Sequence, residues 1–271
     1  MSFSVLTNAG AQVALQSLTA TNKLLDTTQQ RITTGLKVNG PTDDASTYSI
    51  AQVLRGTVAG TQSVQTALAN GDSTLNTAIQ AGQSISDLLT QIKAKVVQAN
   101  QSGLDSQSRS SLQNDFDALR SQITTIVATA SFNNVNLIQS AATTFSVLST
   151  QAGSVITVSA QSLDVTTLGI DQTDLTTSAN AATALSAINT AIQTATTKLA
   201  ALGSADSRVQ AQSEFTNKLI DILNQGIGNL VDANLAQESA NLQSLQIRQQ
   251  LGTQALSIAN QRPQSILSLF R

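Results

Sequence analysis

Asp43 and Asp44 stand side by side, and paired carboxylates are a starting point for acid–base or metal chemistry. What such chemistry needs next is missing. The chain has no His and no Cys, which removes the commonest general base, the commonest zinc ligand and every thiol nucleophile. No third acid accompanies the pair. Both acids follow Thr42 at the start of a helical pattern, where Thr42 is predicted to cap and the carboxylates to meet the positive end of the helix dipole. No catalytic residue, metal site or cofactor is expected. Arg31 and Arg248 are the next candidates. Pairing between the chain's two ends or between subunits is open to them, as is an ordinary solvated or snorkelling role.

The elements that carry these residues follow from composition and periodicity. Hydrophobic residues are 41% of the 271, but aromatics only 3%, so the core must come from Leu, Ile, Val and Ala, which suits helix–helix packing. Charged residues are 11%, well below the roughly 25% usual for soluble domains, and uncharged polar groups carry solubility instead. A net charge of −2 supplies no basic stripe for nucleic acid and no cationic face for anionic lipid. No apolar run approaches the ~20 residues of a membrane span. The residues from Met1 to Asn8 lack the basic and apolar regions of a secretory signal, so any export is expected by another route.

The chain reads as mainly α, with both ends forming long, weakly charged helical arms. In the first, Ala11, Leu18, Leu25 and Ile32 recur every seven residues, with Ala14, Thr21, Thr28 and Gly35 at the companion spacing: a weak heptad seam. Gly35 is a predicted C-cap, and Gly40-Pro41 breaks the helix. A period near 3.6 then holds from residue 43 to 100, roughly 85 Å at 1.5 Å per residue, against a radius of gyration of roughly 18 Å for a compact domain of this length. A rod is expected. Leu112, Phe116, Leu119, Ile123 and Ile126/Val127 predict a third, shorter helix folded back on the second. Residues 144–148 and 154–158 read as strands of a hairpin around Ala152-Gly153. Helical periodicity returns near Ala182 and runs through Phe215, Leu219, Leu223, Leu242, Leu245, Leu251 and Leu256, ended by Pro263. The predicted divisions are an N-terminal arm (1–42), a helical rod (43–131), an irregular hairpin region (132–179), a second rod segment (180–232) and a C-terminal arm (233–271).

Neither arm has enough apolar surface to stand alone, since ordering each costs tens of kcal/mol at roughly 1–2 per residue. Pairing the arms buries one stripe of each. Leu15, Leu24, Leu267, Leu269 and Phe270 still need cover. Self-association through different faces supplies it and gives an open filament. The free monomer is expected to have disordered ends that fold on assembly.

The termini carry a family resemblance. Asn8-Ala9-Gly10-Ala11 through Leu18, Gln30-Arg31-Ile32-Thr33-Thr34-Gly35-Leu36-Lys37-Val38-Asn39 and Asp43-Asp44-Ala45 are similar to the N-terminal core motif of bacterial flagellins. Gln246 through Leu256, then Ala259-Asn260-Gln261-Arg262-Pro263 through Ile266-Leu267-Ser268-Leu269-Phe270-Arg271, resemble that family's C-terminus. Phe132-Asn133 resembles its turn after the third core helix. The resemblance implies a subunit of the flagellar filament, outside the cell. Its terminal arms would form a coiled coil lining the inner tube and its helical rod the outer tube. It implies export unfolded through the flagellar secretion channel and folding at the distal tip. The implied partners are other flagellin subunits, the filament cap, hook-junction proteins and an export chaperone on the C-terminal arm. Assembly contacts are expected at Ala11, Leu15, Leu18, Leu25, Ile32 and Gly35, and at Leu242, Leu245, Leu251, Leu256, Ile266, Leu267, Leu269 and Phe270. Arg31, Asn39, Asp43, Asp44 and Asn260 are the motif's polar residues.

About 45 residues separate the core segments, so the large outer domains of many flagellins look absent. Thr47-Tyr48-Ser49 and Gly40-Pro41 depart from the family's pattern. So do Gln91 and Lys95, which stand where the receptor that senses many flagellins (Toll-like receptor 5) reads an Arg and a Leu; weak recognition is expected. The Ser/Thr-rich residues 139–180 are open to glycosylation or are simply a polar surface. A hook–filament junction protein with similar arms is the alternative within the same system. An enzyme on a helical scaffold lacks the chemistry.

Overall fold

The computed structural model describes residues 7–267, with side chains through Gln261. Five helices and one hairpin follow in order: α1 (Ala9–Thr34), α2 (Ala45–Ala99), α3 (Ser106–Thr129), β1 (Phe145–Leu148), β2 (Val155–Val158), α4 (Ser178–Val231) and α5 (Leu235–Leu267). The chain is mainly α, as expected. It divides into two compact units: one from Thr57 to Asp221, the other from the described residues up to Gly56 together with those from Ile222 onward.

The Thr57–Asp221 unit holds the principal core. Leu68, Leu75, Ile85, Leu89 and Ile92 of α2 are buried with Phe116 and Ile123 of α3, Val147 of β1, Val158 of β2 and Ile188 of α4. The buried positions of α2 keep the three- and four-residue steps of one helix face. The hairpin pairs antiparallel, Phe145 with Val158 and Leu148 with Val155, and Gly153 turns it with φ of 91°. After α3, Asn136 satisfies three backbone groups at once: its Nδ2 donates to Val127 O (2.6 Å), and its Oδ1 accepts from Ile138 N (2.9 Å) and Gln139 N (3.1 Å).

Three glycines spaced eleven residues apart on α2, a period that returns to one helix face every three turns, let other elements approach closely. A Cβ at Gly71 would lie 2.7 and 2.8 Å from the two methyls of Val147. At Gly82 it would lie 2.6 Å from Leu199 Cδ2, and at Gly60 it would meet the Gln151 side chain. Gly71→Ala gains about 1 kcal/mol of helix propensity but overpacks a β-branched partner whose χ1 cannot swing aside, at about 1–3 kcal/mol. A net destabilisation is expected. Gly203→Ala, where nothing lies within 4 Å, should instead stabilise by about 0.5–1 kcal/mol. Paired chemical denaturation curves check both signs.

Asp206 of α4 and Asp72 of α2 share one donor, Gln210 Nε2, at 2.8 and 3.2 Å. Burial, then the neighbouring Asp72 charge, hold the Asp206 carboxyl above its ordinary value of 3.8. A raised carboxyl binds its proton more tightly in the folded chain, so its cost is present at neutral pH. That cost is relieved as pH falls through the raised value toward 3.8. Asp206→Asn is therefore expected to stabilise this unit near neutrality, with the gain shrinking to nothing in acid. Melting temperatures of the two chains across that range read it directly.

In the other unit, α1 begins at Asn8, whose Oδ1 accepts from Ala11 N (3.1 Å), and ends at Gly35, left-handed at φ 74° with its N–H on Arg31 O (2.8 Å). The cap of α2 is Asp44, not Thr42. Its Oδ1 accepts from Ser46 N (3.0 Å) and Thr47 N (3.1 Å), and its Oδ2 from Thr47 Oγ1 (2.7 Å). The Thr47 hydroxyl, then the Thr47 amide, hold the Asp44 carboxyl below its ordinary value. Asp43 serves a different end: its Oδ2 accepts from Asn39 N (2.9 Å) and Gly40 N (3.1 Å), closing the turn before the helix. A longer, charged acceptor outcompetes the Thr hydroxyl for the free N–H groups.

The long C-terminal periodicity is two helices, parted at Asp232-Ala233-Asn234 without a glycine. Asn234 caps α5 by accepting from Gln237 N (3.2 Å). The break pairs with the linker after α1: Lys37 N donates to Val231 O (2.6 Å) and Ala233 N to Gly35 O (2.8 Å). Each interruption satisfies backbone groups the other exposes.

Candidate functional site

The arms are helices in the single chain, and they pack on each other. The seam between them follows the heptad. On α1, the half-buried or buried positions include 11, 14, 18, 21, 25, 28 and 32, the heptad of the sequence, which the cap Gly35 continues; Asn22, Thr27 and Arg31 lie half-buried beside them. On α5 they include Glu238, Leu245, Gly252 and Ala259, with Leu242, Gln249 and Leu256 at the companion spacing and Asn241 half-buried beside Leu242. Leu25 and Leu245 are buried at its centre.

Polar ties set the register. Arg31 Nη1 donates to Glu238 Oε1 at 3.1 Å, and the Glu238 side chain is only 11% exposed. Gln249 Nε2 donates to Asn22 Oδ1 at 2.8 Å. Asn8 Nδ2 donates to Ala259 O at 2.7 Å. Between them Gly252 seats Leu18, whose Cδ1 would lie 3.2 Å from a Cβ there. Residue numbers fall along α5 as they rise along α1, so the arms are antiparallel. Slipping by a heptad would set the Arg31 guanidinium against apolar side chains, a costly desolvation.

Pro263 does not end the helix: α5 continues to Leu267. A proline inside a helix leaves the carbonyl four residues back without its donor. That carbonyl is Ala259 O, the one Asn8 reaches.

The two arms leave apolar surface outside their seam. Ile247, Leu251 and Ile258 lie on one stripe of α5 and are 58%, 57% and 64% exposed. Val13, Leu15 and Leu24 are exposed on α1. Leu251 therefore faces away from α1, and Gly252 takes its place in the seam, because phase and not leucine identity decides which residues face inward. Ile266 and Leu267 lie in α5 beyond the described side chains, and Leu269 and Phe270 lie outside the described residues.

The remaining sequence-selected residues sit apart from the seam. Arg248, Asn260 and Gln91 are exposed, and Lys95 Nζ pairs with Asp115 Oδ2 at 2.7 Å. Periodicity centred on leucines overlooked Asn8, Asn22, Glu238 and Gln249. The seven-residue recurrences through Glu238, Leu245, Gly252 and Ala259 and through Leu242, Gln249 and Leu256 find Glu238 and Gln249, whereas Asn8 and Asn22 fall off the α1 heptad and carry no such signal.

A mainly α chain whose ends pair through a heptad seam and present unpaired apolar stripes has the design of a self-assembling helical subunit. The bacterial flagellin N-terminal helical region matches residues 5–143, and the flagellin C-terminal helical region matches residues 185–270. The chain belongs to the bacterial flagellin family. It is 45% identical to flagellin FljM of Caulobacter vibrioides over 99% of this chain and 98% of that one. It is 37% identical to a flagellin of Brucella melitensis over 99% of each. A solved structure assigned to a flagellar hook-associated protein of Vibrio parahaemolyticus superposes with a TM-score of 0.59 at 14% identity, covering 70% of this chain and all of that one. At that identity the likeness is one of fold.

Proposed function

We propose that this chain polymerises into the filament of a bacterial flagellum, outside the cell, with the α1–α5 pair as its inner assembly element. What supports the reading most is the set of exposed stripes at Ile247, Leu251 and Ile258 and at Val13, Leu15 and Leu24. Large apolar side chains left in water on both helices of one pair call for a partner. Copies of the same chain supply it without further machinery. The subunit passes unfolded through the flagellar secretion channel and folds at the distal tip beneath a cap, with an export chaperone holding the C-terminal arm beforehand. It meets cap and hook-junction proteins at the filament's ends.

Purified chain is expected to elongate seeded filament fragments, and to fail once residues 1–30 or 240–271 are removed. A hook–filament junction protein, the second reading, would add a single layer and stop; the full-length match to flagellins favours elongation. Gln91 and Lys95, the latter engaged with Asp115, are proposed to leave Toll-like receptor 5 weakly activated. A reporter response as strong as to an enteric flagellin would refute that.

A further inference from the structure

Asn-Gly occurs twice in this chain, at Asn39-Gly40 and Asn70-Gly71, and the fold treats the two differently. Asn70-Gly71 lies within α2, where the Gly71 N–H belongs to the helix ladder and the glycine is packed under Val147. Asn39-Gly40 lies outside any helix, in the turn between α1 and α2. Asn39 is exposed. Nothing crowds Gly40: a Cβ there would meet no atom closer than Thr42 Oγ1 at 3.8 Å. The Gly40 N–H already points at a carboxylate, Asp43 Oδ2, at 3.1 Å.

We propose that Asn39 is a site of spontaneous deamidation, a covalent ageing mark at the turn joining the N-terminal arm to α2. The Gly40 nitrogen attacks Asn39 Cγ. A new N–Cγ bond closes a five-membered succinimide and the Cγ–Nδ2 bond breaks. The proton leaving Gly40 N passes by way of the Asp43 carboxylate or water to the departing nitrogen, which leaves as ammonia. Water then opens the ring at Cγ to give aspartate, or at the backbone carbonyl to give isoaspartate. No oxidant, metal or enzyme is required.

The turn answers in two ways. The succinimide has no N–H at Gly40, so Asp43 loses one of its two backbone donors. Hydrolysis then places a second carboxylate beside Asp43 and adds one negative charge to a chain whose net charge is −2. In the isoaspartate product the main chain is also one methylene longer at this point.

Trypsin separates the two Asn-Gly pairs, because Lys37, Arg55 and Lys93 place Asn39 and Asn70 on different peptides. Folded chain held at mildly alkaline pH and physiological temperature should convert the peptide Val38–Arg55 over time. The product would carry the mass of an amide-to-acid exchange and appear as two chromatographic isomers. Gly56–Lys93 should stay unmodified at Asn70. In denaturant both should convert. Gly40→Ala, whose Cβ hinders ring closure, should slow the Asn39 reaction roughly an order of magnitude. An Asn39 peptide that stays intact in the folded chain while the denatured chain converts would overturn the proposal. So would an undiminished rate in Gly40→Ala.

Discussion

Replacing Ile247, Leu251 and Ile258 together with Asp should abolish polymerisation while leaving the chain folded. All three are more than half exposed and none faces the α1 seam, so the monomer's own contacts are untouched. Each apolar side chain is worth about 1.5–3 kcal/mol when a neighbouring subunit covers it. Three together account for more than about 4 kcal/mol, and burying the new carboxylates adds a penalty. At about 1.4 kcal/mol per tenfold, the critical concentration should rise at least about a thousandfold. Sedimentation of seeded reactions reads the assembly. Circular dichroism and the melting temperature read the fold, and both should be unchanged. The complementary change at Leu25 and Leu245, in the seam, should lower helicity and melting temperature before any partner is present. A triple-Asp chain that assembles at the ordinary concentration would remove these stripes from the interface.

The largest single-residue effect on stability is expected at Arg109. It is buried in the first turn of α3, with Nη2 donating to Gln101 O at 2.9 Å and Nη1 to Ala99 O. Those carbonyls belong to the end of α2 and the turn beyond it, where helix geometry leaves acceptors without donors. One guanidinium therefore closes a corner that neither helix can close alone. Arg109→Ala leaves a buried acceptor unpaired and removes the packing of the side chain, at about 2–4 kcal/mol. Lysine offers a single ammonium in place of a planar fork and recovers part of that loss. Denaturant titration of the three chains should order them Arg, Lys, Ala. A cost within error for Arg109→Ala would mean that water replaces the fork freely.

Much of this was legible in the sequence. The heptad of Ala11, Leu18, Leu25 and Ile32 lies along the seam, the hairpin sits around Gly153, and Gly35 ends its helix. The departures have two causes: competition between neighbouring caps, and deciding partners distant in sequence. Thr42 and Asp44 are both good caps, and the charged carboxylates win locally, Asp44 taking the helix and Asp43 the turn. Pro263 reads as a terminator until Asn8 supplies the donor that Ala259 lacks. The run from Ala182 to Leu256 keeps one period across Asp232-Ala233-Asn234, because the break depends on pairing with Gly35 and Lys37. The glycines at 60, 71 and 82 show their spacing in the sequence, but not that Val147 and Leu199 would occupy the space they leave.

The Asn8–Ala259 bond joins residues 251 apart, and the Thr57–Asp221 unit is one continuous stretch lying between them along the chain. A free chain closing a loop of that length bears the full entropic cost for one contact, whereas a loop shortened by a folded insert bears less. Contacts of high sequence separation also form slowly. The order of events is thus written into the connectivity: the continuous unit folds first, and the arms zip last. Loosening runs in reverse, so heat opens the arm pair before the core yields.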